Sequence, residues 1–162
     1  MQVDTESYGV KMCYSSFKDF LATNGFTVFP IEFDCGYTRH PLVDIAAKMG
    51  GFYWAFEYKS EGDSICRGLE QVRCYANWFD YVVLVSEHWF DHTKSEIYWK
   101  LRALGAGICN YSPSADTCTI RKNPELQIPD KRGRRLVERR FRALRKSGYR
   151  PEPIRSNGLA FS

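Results

Sequence analysis

Two carboxylates and a lysine fall at facing positions of two strand-like runs, which are separated by Gly50 and Gly51. A Gly-Gly pair predicts a two-residue hairpin turn of type I′, because both central positions of that turn need positive φ. Counting outward from such a turn places Asp44 directly across from Glu57, with Lys59 two residues further along the same face. Paired carboxylates repel each other at cross-strand distances of about 5 Å unless a cation joins them. The spacing therefore predicts a divalent-metal site with a lysine beside it.

The same residues also admit a purely structural interpretation. Glu57 and Lys59 would then form an ordinary ion pair on a solvated strand face, and Asp44 would end its strand near a turn. The run from Gly51 to Lys59 is otherwise apolar on both faces, which is typical of a strand that is covered on both sides. Charges in such a strand need a partner, and this favours the functional interpretation.

The elements that position these residues follow from hydrophobic periodicity. Apolar residues at helical spacing predict a first helix that ends at Asn24-Gly25, a natural left-handed cap. Pro30 removes an amide donor from the strand that follows, which argues for an edge or a bulge there. The helices are predicted over the stripe Val10, Cys13, Phe17 and Leu21, over 65–79 and over 93–104, and the strands over 26–33, 41–48, 52–60, 81–86, 107–111 and 117–121.

Gln71 and Tyr75 lie one turn apart on the second predicted helix and flank its buried stripe. Both side chains can therefore point toward the strand that carries Glu57 and Lys59. They can equally form the polar shoulder of an amphipathic helix, and the sequence leaves both interpretations open.

Three short motifs in this order resemble the PD-(D/E)xK nuclease superfamily, with its restriction-endonuclease-like core and its Holliday-junction-resolvase and RecB-like branches. The motifs are His40-Pro41-Leu42-Val43-Asp44, Glu57-Tyr58-Lys59 and Gln71-x-x-x-Tyr75. The resemblance spans about residues 10 to 122, and its specificity lies in the order of helix, strands and motifs. Two features depart from the family pattern. Pro41 stands three residues before Asp44, and no acid on the first helix clearly matches the glutamate of many members, so Glu6, Asp19 and Glu32 are left without that role.

The resemblance implies an α/β fold with a restriction-endonuclease-like core, a central mixed β-sheet flanked by helices. It implies a metal-dependent DNA endonuclease that hydrolyses phosphodiester bonds. Asp44, Glu57, Lys59 and Gln71 would be the catalytic residues, and Asp44, Glu57 and the Tyr58 carbonyl would bind the metal. Hard oxygen ligands of this kind suit Mg²⁺ or Mn²⁺. Lys59 would orient the attacking water or help to deprotonate it.

A basic block distinguishes the C-terminal part of the chain. Between Lys131 and Arg150 there are ten Lys or Arg residues and one acid, Glu138, so this block carries +9 while the rest of the chain carries −5. Such asymmetry is typical of a protein that binds a polyanion, although a solvated helix or a localisation tail can look the same. We therefore predict a nuclease-like core over 1–128 and a basic helix with a loose tail over 129–162. The predicted nucleic-acid-binding residues are Lys131, Arg132, Arg134, Arg135, Arg139 and Arg142.

Composition sets broad limits on the class of protein. A chain of 162 residues that is 44% hydrophobic can form a core, and it contains no apolar run of membrane-spanning length and no apparent signal peptide. A cytoplasmic location and a DNA partner are expected, with a homodimer left open. The six cysteines form no C-x-x-C pair, so small buried thiols are expected rather than disulfides or zinc ligands.

Two alternatives to a DNA endonuclease stay open. The chain could be a DNA-binding module that keeps the fold without cleavage, with the charged pair serving only as a structural ion pair. It could also act on RNA, because Trp89 and Trp99 could stack on bases if they are exposed. The form of the nucleic acid and any sequence preference are not fixed by the sequence.

Overall fold

A computed structural model of the protein describes residues 15–35, 42–60, 62–88 and 95–148. The helices are α1 (15–23), α2 (Ile65–Tyr75), α3 (Glu96–Leu104) and α4 (Lys131–Lys146), and the strands are β1 (Thr27–Val28), β2 (Ile45–Met49), β3 (Phe52–Lys59), β4 (Tyr81–Ser86), β5 (Gly107–Ser112) and β6 (Thr117–Lys122). Several positions used above lie outside the described residues, namely Glu6, Val10, Cys13, His40, Pro41, Trp89 and the tail from 149 to 162.

The six strands form one mixed sheet in the order β1-β2-β3-β4-β5-β6. β3, β4 and β5 are parallel, and the pairs β1-β2, β2-β3 and β5-β6 are antiparallel. Parallel neighbours need a crossover, and α2 and α3 supply the two crossovers. The predicted α/β class, with a central mixed sheet flanked by helices, is confirmed.

The β2-β3 hairpin has the predicted register. Its last ladder pair joins Ile45 to Phe56, so the next position outward sets Asp44 opposite Glu57. The predicted type I′ turn is wrong, because Gly50 has a left-handed φ of 61° whereas Gly51 does not. A positive φ at the first central residue alone fits a type II′ turn, which is also a two-residue turn and therefore gives the same register.

The first predicted strand is much shorter than expected. β1 comprises two residues that pair with β2, and beyond it an isolated bridge joins Phe33 to Val43, two residues before β2. Phe29 still donates its amide to Ala46, but Pro30 has no amide to continue the ladder. The second helix is also shorter than predicted. It ends at Tyr75, although Phe79 beyond it remains in the core.

Each face of the sheet carries its own hydrophobic cluster. The cluster beneath α1 contains Phe17 and Leu21, and the cluster on the opposite face contains residues of α2, α3 and α4. Val137 and Phe141 form the apolar stripe of α4 and are buried in the core. Gly133 lets α4 lie against Trp78, because a Cβ at position 133 would overlap the indole ring. The basic helix therefore shares the core of the sheet.

The cysteines among the described residues are free thiols. Cys35 and Cys109 are buried, and Cys74 and Cys118 are half-buried, but Cys66 is exposed on α2, so the expectation of buried thiols is wrong for it. Cys13 lies outside the described residues. No helix in the described part of the chain is both long and apolar enough to span a membrane.

Candidate active site

Glu57 is a buried carboxylate near the end of β3, on the face that α2 covers. Only 1% of this residue is exposed. Its Oε1 lies 2.7 Å from the Lys59 ammonium, and its Oε2 accepts a hydrogen bond of 2.6 Å from the Tyr75 hydroxyl. A carboxylate that is removed from water in this way is held by one cation and one donor. The surface ion pair considered from the sequence is therefore wrong in one respect, because the pair is buried.

Lys59 is also buried, with 7% of the residue exposed. Its ammonium donates to the Gln71 side-chain oxygen at 2.9 Å as well as to Glu57. Gln71 and Tyr75 reach the site together because they lie one turn apart on the inner face of α2. The second helix thus holds both charged residues of β3 in place. Tyr75 was not among the predicted catalytic residues, although its one-turn spacing from Gln71 was the available signal.

Asp44 completes the group from the position just before β2. The Tyr58 amide donates to its Oδ2 at 2.9 Å. Burial, and then the neighbouring Glu57 carboxylate, raise the pKa of Asp44 to about 7, although the Tyr58 amide and the Lys59 charge lower it. Ionising Asp44 is therefore unfavourable below about pH 7, where an ordinary aspartate is already charged, and a bound cation would offset that cost.

The donor atoms in this group suit a hard cation. Asp44 and Glu57 offer carboxylate oxygens, and each oxygen of Glu57 keeps a second lone pair beside its present hydrogen bond. In the described parts of the chain, no three His, Cys, Asp or Glu side chains form a cluster that could hold a metal. The protein would thus supply two carboxylates, which fits Mg²⁺, an ion that usually keeps several water ligands.

Lys18 of α1 approaches the site from the other face of the sheet. Burial lowers the pKa of its ammonium, and the nearby carboxylates of Glu32 and Asp44 oppose that shift. The family resemblance directs attention to an acid on this helix, yet Asp19 and Glu32 are both exposed. The first helix therefore contributes a cation, Lys18, whose charge interacts with Asp44. Lys18 follows Phe17 of the predicted apolar stripe, and this adjacency was the available sequence signal.

A row of polar side chains extends from Lys59 across the sheet. The strand register aligns Lys59 with Ser86 of β4 and Asn110 of β5, at the carboxyl ends of the three parallel strands. Asn110 donates to the Ser86 and His88 carbonyl oxygens at 3.3 and 2.9 Å, and it accepts from Arg121 at 3.2 Å. Ligands commonly bind at this edge of an α/β sheet. Sequence patterns did not identify this row, because it depends on pairing between distant strands.

The basic helix separates its arginines into two groups. Arg134 points inward, where it contacts Asp80 and Glu138 at 2.9 Å each and lies 4.3 Å from the Tyr53 ring centre. These contacts hold most of the Arg134 side chain, and its predicted nucleic-acid-binding role stays a prediction. The other predicted residues are exposed, namely Lys131, Arg132, Arg135, Arg139 and Arg142. The four arginines of that group line a depression together with Cys35, Leu136 and Glu138.

Comparisons with known proteins bear on the fold alone. No family model and no curated protein sequence matches the chain. A protein of unknown function from Silicibacter pomeroyi is similar in structure, with a TM-score of 0.52 and 20% identity over 82% of this chain and 89% of that chain. An XisH family protein from Nostoc punctiforme PCC 73102 has a TM-score of 0.48 and 14% identity over 71% of this chain and 98% of that chain, which is too distant to support an argument.

Proposed function

We propose that this protein is a metal-dependent DNA endonuclease with a restriction-endonuclease-like core. The observation that carries the proposal is the meeting of Asp44, Glu57, Lys59 and Gln71 at one end of β3. Lys59 pairs directly with only one of these two neighbouring carboxylates, so ionising the second, Asp44, remains unfavourable unless a further cation joins them. A metal ion beside a fixed lysine would supply a chemical reason for this arrangement.

Each residue of the group has a role in phosphodiester hydrolysis. Asp44 and Glu57 would hold Mg²⁺ or Mn²⁺, with the Tyr58 carbonyl proposed as a further oxygen ligand. When bound, such an ion polarises a phosphate oxygen and lowers the pKa of its water ligand. Lys59 would orient or help to deprotonate the attacking water and offset the negative charge that develops on the phosphate. Gln71 would keep the Lys59 ammonium in place through its side-chain oxygen.

The exposed arginines of α4 would bind the DNA backbone. Arg132, Arg135, Arg139 and Arg142 follow one another on the helix surface over about 15 Å, at a rise of about 1.5 Å per residue. They line a depression with Cys35 and Glu138, and Phe33, two residues before Cys35, bridges to Val43, the residue before Asp44. The positive surface thus lies two residues along the chain from the bridge that reaches the segment of the candidate metal ligand, and phosphates are the partners that suit it.

Nicking of supercoiled plasmid DNA tests the proposed activity. Wild-type protein is expected to cut with Mg²⁺ or Mn²⁺ and to stop when EDTA is added. Asp44→Asn is expected to raise the Mn²⁺ concentration for half-maximal rate by about 10- to 100-fold, because it removes one ionic ligand. Its DNA affinity in EDTA should match that of wild type. Absence of cutting on duplex, junction, flap and single-stranded DNA with either metal would refute the proposal.

The salt dependence of DNA binding tests the basic surface separately from cleavage. Arg135→Gln combined with Arg139→Gln should reduce the slope of log affinity against log salt by about 2, since each arginine releases about one counterion. The matched control is Arg73→Gln with Lys100→Gln, which removes the same charge from exposed positions on α2 and α3. Fluorescence anisotropy in EDTA measures both slopes. An equal fall in the two double variants would mean that net charge alone drives binding.

An RNA substrate is the second candidate, and one observation favours it. Trp99 on α3 is 53% exposed and lies 5.5 Å from the Arg102 guanidinium, so its ring could stack on an unpaired base. Competition between single-stranded RNA and duplex DNA in the same anisotropy assay distinguishes the two. Loss of RNA affinity in Trp99→Ala, with duplex DNA affinity unchanged, would favour RNA.

A further inference from the structure

Gly68 lies on the buried face of α2, directly over the side chain of Lys59. A Cβ at this position would come within 3.0 Å of Lys59 Cε, 3.6 Å of Lys59 Cγ and 2.7 Å of Leu84 Cδ1. A Cβ at position 68 would therefore press on the lysine stem, which would have to give by a few tenths of an ångström, and would overlap Leu84 Cδ1. Glycine is intrinsically unfavourable inside a helix, so its presence here needs a reason other than helix formation.

The path of Lys59 under α2 determines where its charge ends. From the slot beside Gly68 the chain continues to the ammonium, which meets Glu57 at 2.7 Å and Gln71 at 2.9 Å. Gly68 and Gln71 are neighbours on the helix surface, three residues apart. The helix thus offers a gap for the stem and then an acceptor for the ammonium.

We infer that Gly68 is a positioning residue, which sets the location of the Lys59 ammonium in the candidate active site. This inference rests on the proposed nuclease function for its meaning in catalysis, although the geometric part stands by itself. A methyl group at position 68 would displace the lysine stem and so shift the ammonium relative to Glu57. Leu84 Cδ1 and Lys59 Cε both lie toward the ends of flexible side chains, so the fold should accommodate the change.

Gly68→Ala is the decisive variant. Its kcat for plasmid nicking should fall by about 3- to 10-fold, less than the roughly 100-fold loss for a misplacement of about 1 Å, because the lysine stem has to give by only a few tenths of an ångström. KM should stay within about twofold because the substrate surface is unchanged, and the affinity for Mn²⁺ should not fall because both carboxylates are kept. Cys66→Ala on the exposed side of α2 is the control, and it should cut at the wild-type rate.

A second variant distinguishes two causes of a slower rate in Gly68→Ala, namely a displaced Lys59 side chain and strain in the core around Leu84. Gly68→Ala combined with Leu84→Val removes the nearest overlapping atom but keeps the contact with Lys59. This double variant should unfold at the wild-type temperature or close to it, and it should remain slow. Recovery of the wild-type rate in the double variant would show that core strain caused the loss, and this would overturn the inference.

A crystal structure of Gly68→Ala tests the geometric part even if the wild-type protein does not cut nucleic acid. The distance from the Lys59 ammonium to Glu57 Oε1 is expected to differ from the present 2.7 Å by a few tenths of an ångström, the displacement that a Cβ at 3.0 Å from Lys59 Cε requires. An unchanged distance would overturn the inference. Failure of wild-type cleavage together with a displaced lysine would refute only the nuclease proposal.

Discussion

Replacing Lys59 by methionine should reduce DNA cleavage by about 10²- to 10³-fold, the range seen when one group that stabilises transition-state charge is removed. Binding of Mn²⁺ should meanwhile stay as tight as in wild type or become tighter. The ammonium lies 2.7 Å from Glu57 Oε1, so it competes with an incoming divalent ion for the same oxygen. Methionine keeps an unbranched side chain in the slot beneath α2 without the charge.

Glu57→Gln is expected to weaken Mn²⁺ binding, in contrast to Lys59→Met. The amide keeps the shape of the side chain but loses its charge, so Mn²⁺ affinity should fall by at least about 10- to 100-fold and cleavage should fall with it. Isothermal titration calorimetry with Mn²⁺ and the nicking assay measure the two effects. If neither variant changes metal uptake and both only lower stability, then Glu57 and Lys59 are a structural ion pair.

The Mn²⁺ affinities of Lys59→Met and wild type have to be compared at a pH at which Asp44 is ionised in both proteins. The pKa of Asp44 is already raised to about 7, and the Lys59 charge is one of the influences that lower it. Removing that charge raises the pKa further, so below that pKa a proton competes with Mn²⁺ for Asp44 in Lys59→Met. Titrations at pH near 8.5 avoid this competition. At pH 6 the advantage of Lys59→Met in metal binding should shrink or disappear.

The geometry around Glu57 could be predicted from the sequence because it depends on local rules. A two-residue turn and the period of two along a strand fix which residues face Glu57, whichever turn type forms. The one-turn spacing of Gln71 and Tyr75 similarly fixes their common direction on α2. These rules involve residues that are close together in the chain or joined by a tight turn. The structure accordingly brings together the side chains of Glu57, Lys59, Gln71 and Tyr75, as these patterns predict.

Other features required tertiary information. Counting charges on α4 could not indicate that Arg134 turns inward, because this depends on the position of Asp80 at the start of β4. The alignment of Ser86 and Asn110 with Lys59 depends on the register between parallel strands, and no turn fixes that register. The position of Gly68 over the Lys59 side chain likewise depends on how α2 packs on β3, which no local pattern fixes.

Arg134 connects the basic helix to the sheet through a largely buried network. Its Nε lies 2.9 Å from Asp80 Oδ1, and the other oxygen of Asp80 accepts the Tyr53 amide at 2.8 Å. Asp80 is buried, whereas about a fifth of the Arg134 side chain is exposed. Without the arginine, Asp80 would keep its charge in the interior with only neutral donors, which is strongly unfavourable.

Arg134→Met should therefore lower the free energy of unfolding by about 3 kcal/mol, near the lower end of the range for breaking a buried ion pair because of the partial exposure. Urea denaturation measures the change, and Arg135→Met on the exposed side of α4 should stay within about 0.5 kcal/mol of wild type. Because Val137 and Phe141 belong to the core, one cooperative transition is expected for the whole protein. Two transitions, with the fluorescence of Trp78 changing only in the first, would instead mean that α4 detaches as a separate unit and that Arg134 stabilises only its docking.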